Sequence, residues 1–405
     1  MKTITEPSRE VPVVREVDVV VAGGGPAGIA AAIAAARNGA KTLLVERYGY
    51  LGGMITGSNV TWYLGFGNGK RQVVYGIADE TVIRLDEVGG LVSDRNASGD
   101  CNSDAEFVKW LSIAMLEEAG AEILLHSWVA SDVTDKGTCK GIIVENKSGR
   151  QAILAKVVVD ATADGDVCAS AGVEMKTDNH DITLICQMEG VDRERAEAFK
   201  KGEPDNYAKL MKALEGQGGI APSRGGAKFQ GRSTVDVGDL THIENEARKK
   251  IFKGLLFLRK HVPGYEKAKV AWTCPQLGVR ESRKIVGEYT ITMDDILASK
   301  KADDGIGRCG AQMTGYKLYD VPGLDYDIPY RCLVPQKIDG LLAAGRCISA
   351  THEAINTLRL IVPCALTGEA VGTAAALAVK QGVAPRKINV SELQTTLKQQ
   401  GNNLG

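Results

Sequence analysis

The chain has 405 residues, enough for one large or two ordinary domains with well-developed cores. Its 49 basic and 50 acidic side chains nearly cancel, so no strong field favours nucleic acid, and no apolar run approaches the ~20 residues of a membrane span. The nine cysteines form no CxxC pair and no zinc-type spacing. This pattern favours a cytoplasmic protein with reduced thiols, without a metal site and without stable membrane insertion.

The amino-terminal part carries a strand–helix–strand pattern. Residues 16–22, EVDVVVA, form a β-branched run typical of a buried parallel strand. An alanine-rich helix follows and ends near Asn38 and Gly39, and residues 41–46, KTLLVE, form a second strand. Together they make a βαβ unit of the length that a dinucleotide-binding fold requires.

A GxGxxG fingerprint lies between the first strand and the helix. Its residues are Gly23, Gly25, Pro26, Ala27 and Gly28. The first glycine permits a tight turn, the second lets the backbone approach a pyrophosphate, and the third allows close helix–strand packing. Glu46 ends the second strand, where an acidic residue would bind a ribose hydroxyl and disfavour a 2′-phosphate. The pattern predicts dinucleotide binding and leaves NAD and FAD open.

The predicted secondary structure changes twice in the middle of the chain. Residues 48–70 form a long glycine-rich segment that we expect to cover a ligand. Residues 103–106, SDAE, predict a capping box with Ser103 as the N-cap of a helix that closes at Gly120. Three strands then follow, beginning with AEILLHSWVASDV, and form a β-meander that returns to the parallel sheet.

These patterns predict an α/β protein with a Rossmann-type domain, in which a parallel sheet is joined to a β-meander. That domain is discontinuous and covers residues 15–173 and 327–395, after an N-terminal arm at residues 1–14. Residues 174–326 mix short strands with charged helices and are predicted to form an inserted α+β domain that covers the substrate.

Several blocks of the sequence resemble a known family. GGGPAGIAAAIAAARNGAKTLLVERYGYLGG resembles the amino-terminal signature of FAD-dependent oxidoreductases of the glutathione-reductase superfamily. VVVDATADGDVCASAG, GVRESRKIVGEY, YDIPYRCLVP and LLAAGRCISATHEA resemble the bacterial FAD-dependent oxidoreductase family, a distant relative of the succinate dehydrogenase and fumarate reductase flavoproteins. The resemblance covers nearly the whole chain, and it implies FAD as the cofactor.

The resemblance also implies a role for residues in each block. Glu46 would bind the adenosine ribose, and Trp128 and Val129 would hold the adenine through backbone contacts. Residues 356–362 would face the isoalloxazine. The further residues assigned to the cofactor are Arg47, Gly52, Gly53, Met54, Ala161, Gly345, Arg346, Arg359 and Leu360.

Two departures from the family pattern bear on this assignment. Ala163 stands where family members often carry glycine, so we expect an altered turn in DATADGD. The related dehydrogenase flavoproteins attach FAD through a histidine in the glycine-rich loop. Residues 51–70 contain no histidine, which favours non-covalent FAD.

The candidates for catalysis are polar residues within the blocks expected near the flavin. His352 is either an acid–base residue or a structural histidine that satisfies a backbone carbonyl. Arg280 and Arg283 are spaced to lie on one side of a helical turn, where they could clamp a carboxylate substrate or form structural ion pairs. Arg331 has the same two interpretations, and Arg359 could stabilise anionic reduced flavin.

The sequence therefore predicts an FAD-dependent oxidoreductase that transfers a hydride between a small organic substrate and non-covalent FAD. The alternatives are a flavin-dependent monooxygenase and a non-catalytic FAD-binding redox sensor or partner protein. Only one dinucleotide fingerprint is present, so the electrons would come from the substrate itself, from transient NAD(P)H, or be exchanged with a protein partner. NAD as the sole cofactor is disfavoured by the C-terminal return motif, and the chain is compatible with a homo-oligomer.

Overall fold

The computed structural model describes residues 2–5, 7–221 and 226–405. Within them the strands, in chain order, are β1 (Val13–Ala22), β2 (Thr42–Val45), β3 (Trp62–Tyr63), β4 (Leu91–Ser93), β5 (Cys101–Ser103), β6 (Glu122–Leu124), β7 (Trp128–Asp135), β8 (Thr138–Asn146), β9 (Gly149–Asp160), β10 (Met175–Thr177), β11 (Ile182–Leu184), β12 (Cys186–Glu189), β13 (Ala227–Phe229), β14 (Lys269–Thr273), β15 (Gly278–Val279), β16 (Arg283–Ile285), β17 (Gly305–Cys309), β18 (Met313–Thr314), β19 (Lys317–Leu318), β20 (Tyr326–Pro329) and β21 (Leu341–Ala343).

The α-helices in the same residues are α1 (Pro26–Arg37), α2 (Met54–Gly57), α3 (Ile77–Glu87), α4 (Ala105–Ala119), α5 (Asp166–Ser170), α6 (Arg193–Gly202), α7 (Pro204–Gly216), α8 (Val237–His261), α9 (Met293–Leu297), α10 (His352–Leu358), α11 (Ile361–Gln381) and α12 (Val390–Gln399). Short 3-10 helices cover Tyr330–Leu333, Gly345–Cys347 and Pro385–Lys387.

The chain divides into two compact units. The first comprises the described residues of Met1–Gly53, Trp62–Thr177 and Arg283–Gly405, and the second comprises Met54–Thr61 and Asp178–Ser282. The limits predicted for an inserted domain, 174–326, differ from these units. Residues 283–326 belong to the first unit because β16 pairs with β10 and β17 pairs with β20, both within that unit. These pairings join segments that are far apart in the sequence.

The first unit is built on a sheet with the strand order β6-β2-β1-β9-β8-β7, and β21 also pairs with β9. The amino-terminal half of β9 runs antiparallel to β8, and its carboxyl-terminal half runs parallel to both β1 and β21. The predicted meander and its return to the parallel sheet are therefore observed. All four residues of β2 are buried, as is typical of a parallel sheet that is covered on both faces.

Two helices of the first unit, α1 and α11, pack backbone against backbone. A Cβ atom added at Gly368 would lie 2.1 Å from the Ala27 carbonyl oxygen, and one at Gly372 would lie 2.1 Å from that of Ala31. Among the described residues, α11 is the one helix long and apolar enough to cross a membrane, and its apolar window is fully buried. Because a buried core helix has the same composition, this feature is weak evidence for a membrane span.

Two local predictions need correction. AEILLHSWVASDV is not one strand: β6 pairs in parallel with β2, β7 pairs antiparallel with β8, and His126 between them has a φ of +54°. The N-cap of α4 is Asp104, whose side chain accepts hydrogen bonds from the amides of Glu106 and Phe107. Ser103 instead ends β5, where strand pairing holds its backbone. The end of the helix at Gly120 is as predicted.

The second unit has its own core. Helix α8 is capped by Asp236, whose side chain accepts a hydrogen bond from the amide of Asp239. The helix contacts short antiparallel strands that pair as β13-β11-β15 and β12-β14. The buried residues of this core are Ile182, Leu184, Cys186, Ala227, Ile243, Ala247, Ile251, Cys274 and Leu277.

Candidate functional site

Three parallel strands of the first unit end side by side at one edge of the sheet. The amide of Ala161, just after β9, donates to the carbonyl of Ala22 at the end of β1 (2.9 Å). The amide of Ala344, just after β21, donates to the carbonyl of Asp160 (3.0 Å). In open parallel sheets, ligands bind at this carboxyl edge. Gly23, Ala161 and Gly345 are thereby brought to the same edge, as the sequence assignment requires.

The glycine-rich turn shows why each glycine is needed. Gly23 has a φ of +106°, and an added Cβ would lie 2.4 Å from the Ala161 carbonyl oxygen. An added Cβ at Gly28 would lie 1.7 Å from the carbonyl oxygen of Gly23. At Gly25, by contrast, the nearest atom to an added Cβ is the Cα of Gly53, at 3.8 Å. Close packing therefore requires glycine at positions 23 and 28, whereas the space beside Gly25 is open.

The starts of α1 and α11 converge on Gly345. Neither N-cap residue, Gly25 for α1 or Leu360 for α11, makes a side-chain capping bond. An added Cβ at Gly345 would lie 3.0 Å from the Cβ of Ala27 and 3.8 Å from the Sγ of Cys364, which belong to the first turns of the two helices. Helix starts that lack a side-chain cap offer backbone N–H groups and a positive dipole end to an anion.

Glu46 is buried beneath the glycine-rich turn. Its Oε2 atom accepts a hydrogen bond from the amide of Gly24 (2.6 Å), and its Oε1 atom accepts one from the amide of Tyr48 (2.9 Å). The amide of Gly52 donates to the carbonyl of Gly24 (2.8 Å), and an added Cβ at Gly53 would lie 2.8 Å from the Cα of Gly25. Glu46, Gly52 and Gly53 therefore all contact the turn, whereas Met54 begins α2 in the second unit.

Arg47 lies between two aromatic rings. Its guanidinium carbon is 4.9 Å from the ring centre of Tyr48 and 5.0 Å from that of Trp128. Tyr48 stacks in parallel on Tyr50 at 5.2 Å. Trp128 and the next residue, Val129, begin β7, and Trp128 remains 53% exposed. Flat, partly exposed rings beside a cation suit a planar aromatic ligand such as a nucleobase.

A cluster of aspartates and arginines follows β9. Asp160 is fully buried at its end, and Asp164 forms a 2.7 Å ion pair with the nearly buried Arg346. Arg283 forms an ion pair with Asp166 and donates from Nε to the carbonyl of Asp164 (2.9 Å). Burial, together with the neighbouring Asp164 and Asp160, raises the pKa of Asp166 to about 6. The sequence assignment missed these aspartates, although DATADGD contains all three.

Ala163, within this cluster, has a φ of +69°. Glycine takes this left-handed conformation freely, but an alanine pays a steric cost there. Ala163 therefore keeps a backbone conformation that suits glycine and carries strain there; whether the turn is altered stays a prediction.

The glycine-rich segment after Tyr48 is fixed by a buried carboxylate. Asp100 accepts hydrogen bonds from the amides of Gly65 (2.9 Å) and Phe66 (3.1 Å) and from the hydroxyl of Tyr319 (2.7 Å). Burial raises the pKa of Asp100 above its ordinary value. An added Cβ at Gly65 would lie 2.9 Å from the Cδ of Pro363, so the segment packs on the first turn of α11. Neither Asp100 nor Tyr319 stands out in the sequence.

The catalytic candidates fall into two groups. His352 is the first residue of α10 and is exposed. Arg331 forms a two-point ion pair with Asp304 at 2.9 and 3.1 Å and lies over the ring of Tyr289. Since Arg283 is likewise held in an ion pair, the structural interpretation fits both Arg283 and Arg331.

The helical turn predicted for Arg280 and Arg283 is wrong. Arg283 begins β16, which pairs with β10 of the first unit, and Arg280 follows β15 of the second unit. The β-branched Ile285 and Val286 favour this extended conformation. Arg359 is the C-cap of α10 and donates to the side chain of Asn356 at 2.6 Å, next to the N-cap of α11.

A family model described as FAD dependent oxidoreductase matches residues 18–397. The chain is similar to thiamine thiazole synthase from Methanococcus maripaludis, with 32% identity over 181 residues that cover 42% of this chain and 63% of that protein. It is similar to digeranylgeranylglycerophospholipid reductase 1 from Methanopyrus kandleri, with 29% identity over 204 residues that cover 45% of this chain and 50% of that protein. The chain thus spans less than two thirds of the length of these curated relatives.

Two solved structures are similar to this chain at low identity. One is a geranylgeranyl bacteriochlorophyll reductase-like protein from Thermoplasma acidophilum, with 15% identity, a TM-score of 0.46, and coverage of 95% of this chain and 84% of that chain. The other is the myxobacterial chondrochloren halogenase, with 12% identity, a TM-score of 0.49, and coverage of 95% and 79%.

The residues of the first unit fit FAD. The open surface at Gly25 leaves room for a pyrophosphate at the start of α1, and a larger side chain there would fill it. The uncapped starts of α1 and α11 both offer N–H groups to negative charge, and the exposed ring of Trp128 is a candidate neighbour for the adenine. The family match and this cradle together identify FAD as the cofactor.

Proposed function

Because the chain belongs to the FAD-dependent oxidoreductase family, whose model matches residues 18–397, we propose that it transfers a hydride between a small organic substrate and FAD held non-covalently by its first unit. The observation that carries this proposal is the convergence of the uncapped starts of α1 and α11 on Gly345. One helix start would receive the pyrophosphate and the other would face the redox-active ring. When bound, FAD supplies a two-electron acceptor or donor.

The chain's own residues would position the cofactor from end to end. Glu46 would accept from a ribose hydroxyl through a carboxylate lone pair that the amides of Gly24 and Tyr48 do not use. The backbone at Gly25 and Gly28 would bind the pyrophosphate, with the Arg346–Asp164 ion pair fixing the opposite wall. The guanidinium of Arg359, beside the N-cap of α11, would stabilise negative charge on the reduced ring.

The proton step would fall to a residue that can reach solvent. His352 is exposed at the first turn of α10, so it can exchange a proton with water and present a ring nitrogen to the substrate. Arg331 and Arg283 are held by Asp304 and Asp166, and we assign them positioning roles. Arg280 stays a candidate for binding an anionic group of the substrate.

The two named relatives carry out different chemistry, so neither supplies a substrate for this chain. We propose a small organic substrate, with electrons that come from the substrate itself, from transient NAD(P)H or from a protein partner. The reduced cysteines suit a cytoplasmic location.

The substitution Gly25→Ala tests the cofactor site. The protein has room for this methyl group, and Gly25 has a φ of −79°, which alanine adopts without strain. The methyl group would instead occupy the space proposed for the pyrophosphate. We expect an unchanged melting temperature for FAD-free protein and at least a tenfold weaker uptake of added FAD, measured by fluorescence quenching.

The control for this experiment is Gly202→Ala, in which the added Cβ meets no atom within 4 Å. This control should bind FAD normally. A Gly25→Ala variant that is folded and binds FAD as tightly as the parent would refute the proposed pyrophosphate position.

A further inference from the structure

Helix α8 of the second unit has a buried face and a distinct outer face. The buried positions recur at helical spacing and include Ile243, Ala247, Ile251, Leu255 and Leu258. Ile243, Ala247 and Ile251 pack into the core of the second unit, and burial of this face accounts for its apolar residues. Packing in the core does not explain which residues lie on the outer face of the last four turns of α8.

Two large apolar side chains lie on that outer face. Phe252 is 47% exposed and Leu256 is 61% exposed, and they lie one turn apart on the same side of the helix. Single exposed apolar residues are common on proteins, but a pair at i and i+4 forms a continuous apolar strip.

Cations surround this strip. Residues 247–261, ARKKIFKGLLFLRKH, contain six lysines or arginines and no acidic residue. Lys249, Lys253, Arg259 and Lys260 are all exposed and share the outer face with the apolar pair. Lys249 is 2.7 Å from Glu246, Lys253 donates to the carbonyl of Gln217 (2.8 Å), and the Nε of Arg259 donates to the carbonyl of Ala268 (2.5 Å). Of these three side chains, only Lys249 forms a salt bridge with a carboxylate of the described residues.

We propose that this face docks peripherally on an anionic lipid surface. A basic helix face that also presents Phe and Leu side chains matches the chemistry of the membrane interface, where cations meet lipid phosphates and apolar side chains enter the acyl boundary. The long lysine stems can extend toward the headgroups while Phe252 and Leu256 point at the acyl chains. A nucleic acid would use the cations but would leave Leu256 without an apolar partner. This docking differs from membrane insertion and is independent of the proposed oxidoreductase function.

Cosedimentation of the full-length, FAD-loaded protein with vesicles tests this proposal. We expect binding to vesicles that mix phosphatidylcholine with phosphatidylglycerol and little binding to phosphatidylcholine alone. The double variant Lys253→Gln/Lys260→Gln should bind the mixed vesicles roughly 25-fold more weakly, since each cation near an anionic surface contributes about fivefold. The double variant Phe252→Ser/Leu256→Ser should also bind more weakly and should become more sensitive to salt.

The matched control is Lys387→Gln/Lys398→Gln, which removes two exposed charges from the first unit. It should bind like the parent protein, and the melting temperature and flavin spectrum of every variant verify folding. Equal binding to both vesicle types, an equal loss in the control, or binding to single-stranded RNA that is insensitive to Phe252→Ser/Leu256→Ser would overturn the proposal. A stable dimer in which Phe252 is buried would overturn it as well.

Discussion

Gly368 lies so close to Ala27 that a Cβ atom at position 368 would be 2.1 Å from the Ala27 carbonyl oxygen. This contact sets the spacing between the first turn of α1 and the part of α11 that lies about two turns beyond its start. Because the same helices carry the glycine-rich turn and the segment next to Arg359, their close packing places the two proposed ends of the cofactor site in a fixed relation.

Replacing Gly368 with alanine should therefore destabilise the protein. The added methyl group cannot be accommodated without separating two backbones, and we expect a loss of about 1–3 kcal/mol in the free energy of unfolding. Urea denaturation measures this loss. Gly202→Ala, whose methyl group has open space at the end of α6, should leave the free energy unchanged or raise it by up to about 1 kcal/mol. A Gly368→Ala variant as stable as the parent would show that the two helices can separate freely.

The hydroxyl of Tyr319 should fix the segment around Gly65 through Asp100. Tyr319→Phe removes a hydrogen bond to a buried carboxyl group, which costs about 1–3 kcal/mol. Hydrogen exchange at the amides of Gly65 and Phe66, which donate to the same carboxylate, should become faster. Tyr75→Phe, at a partly exposed ring, is the control and should leave both amides protected. Unchanged exchange in Tyr319→Phe would mean that Asp100 holds the segment unaided.

The strained turn at Ala163 should be relieved by glycine. The left-handed conformation costs alanine about 1–2 kcal/mol, and the greater flexibility of glycine in the unfolded chain takes back about 0.4–1 kcal/mol. Ala163→Gly should thus raise the free energy of unfolding by up to about 1.6 kcal/mol. Ala298→Gly, at a right-handed position with a φ of −76°, should lower it. If both substitutions destabilise equally, the turn at Ala163 carries no strain.

Glu369 should make stability depend on pH. Its carboxyl group is buried in α11 and accepts hydrogen bonds from the amide of Ile77 (2.9 Å) and the side chain of Asn402 (2.7 Å). Burial raises its pKa from 4.5 to about 7. The folded state therefore binds the proton more tightly than the unfolded chain. The contribution of Glu369 to the free energy of unfolding should therefore be fully present below pH 4.5 and should be lost as the pH rises toward 7, by about 1–3 kcal/mol.

Denaturation at several pH values tests this dependence, with Glu369→Gln as the comparison. The side-chain amide of Asn402 can rotate by 180°, because its Oδ1 has no hydrogen-bond partner among the described residues. Its Oδ1 can then accept a hydrogen bond from the protonated carboxyl group or from the amide that replaces it. The variant should lose most of the decline between pH 4.5 and 7. A parent protein whose stability is flat over this range would contradict the assignment.

Local signals in the sequence were sufficient for the βαβ unit. The glycine spacing, the alanine-rich helix and Glu46 all lie within 24 residues of Gly23, and the structure has the elements where these signals predicted them. The family resemblance supplied Gly345 and Arg346, which no local pattern marks as nucleotide-binding. Their meaning depends on β21 pairing with β9, a long-range contact.

The parts that sequence reasoning missed depend on contacts between distant residues. Arg346 meets Asp164 across 182 positions, and Tyr319 meets Asp100 across 219, so neither pair shows a spacing signal. The helical turn predicted at Arg280 and Arg283 failed for a different reason. A three-residue spacing fits a helix, but it does not exclude strands, and the pairing of β16 with β10 decided the conformation.

The most direct test of the account is the absorbance spectrum of the purified protein before and after acid precipitation. We predict flavin bands in the native protein that pass entirely into the supernatant, as expected for non-covalent FAD bound by the first unit. Bands that remain in the pellet would contradict non-covalent binding. A colourless protein that takes up no added FAD would contradict the proposed cofactor site itself.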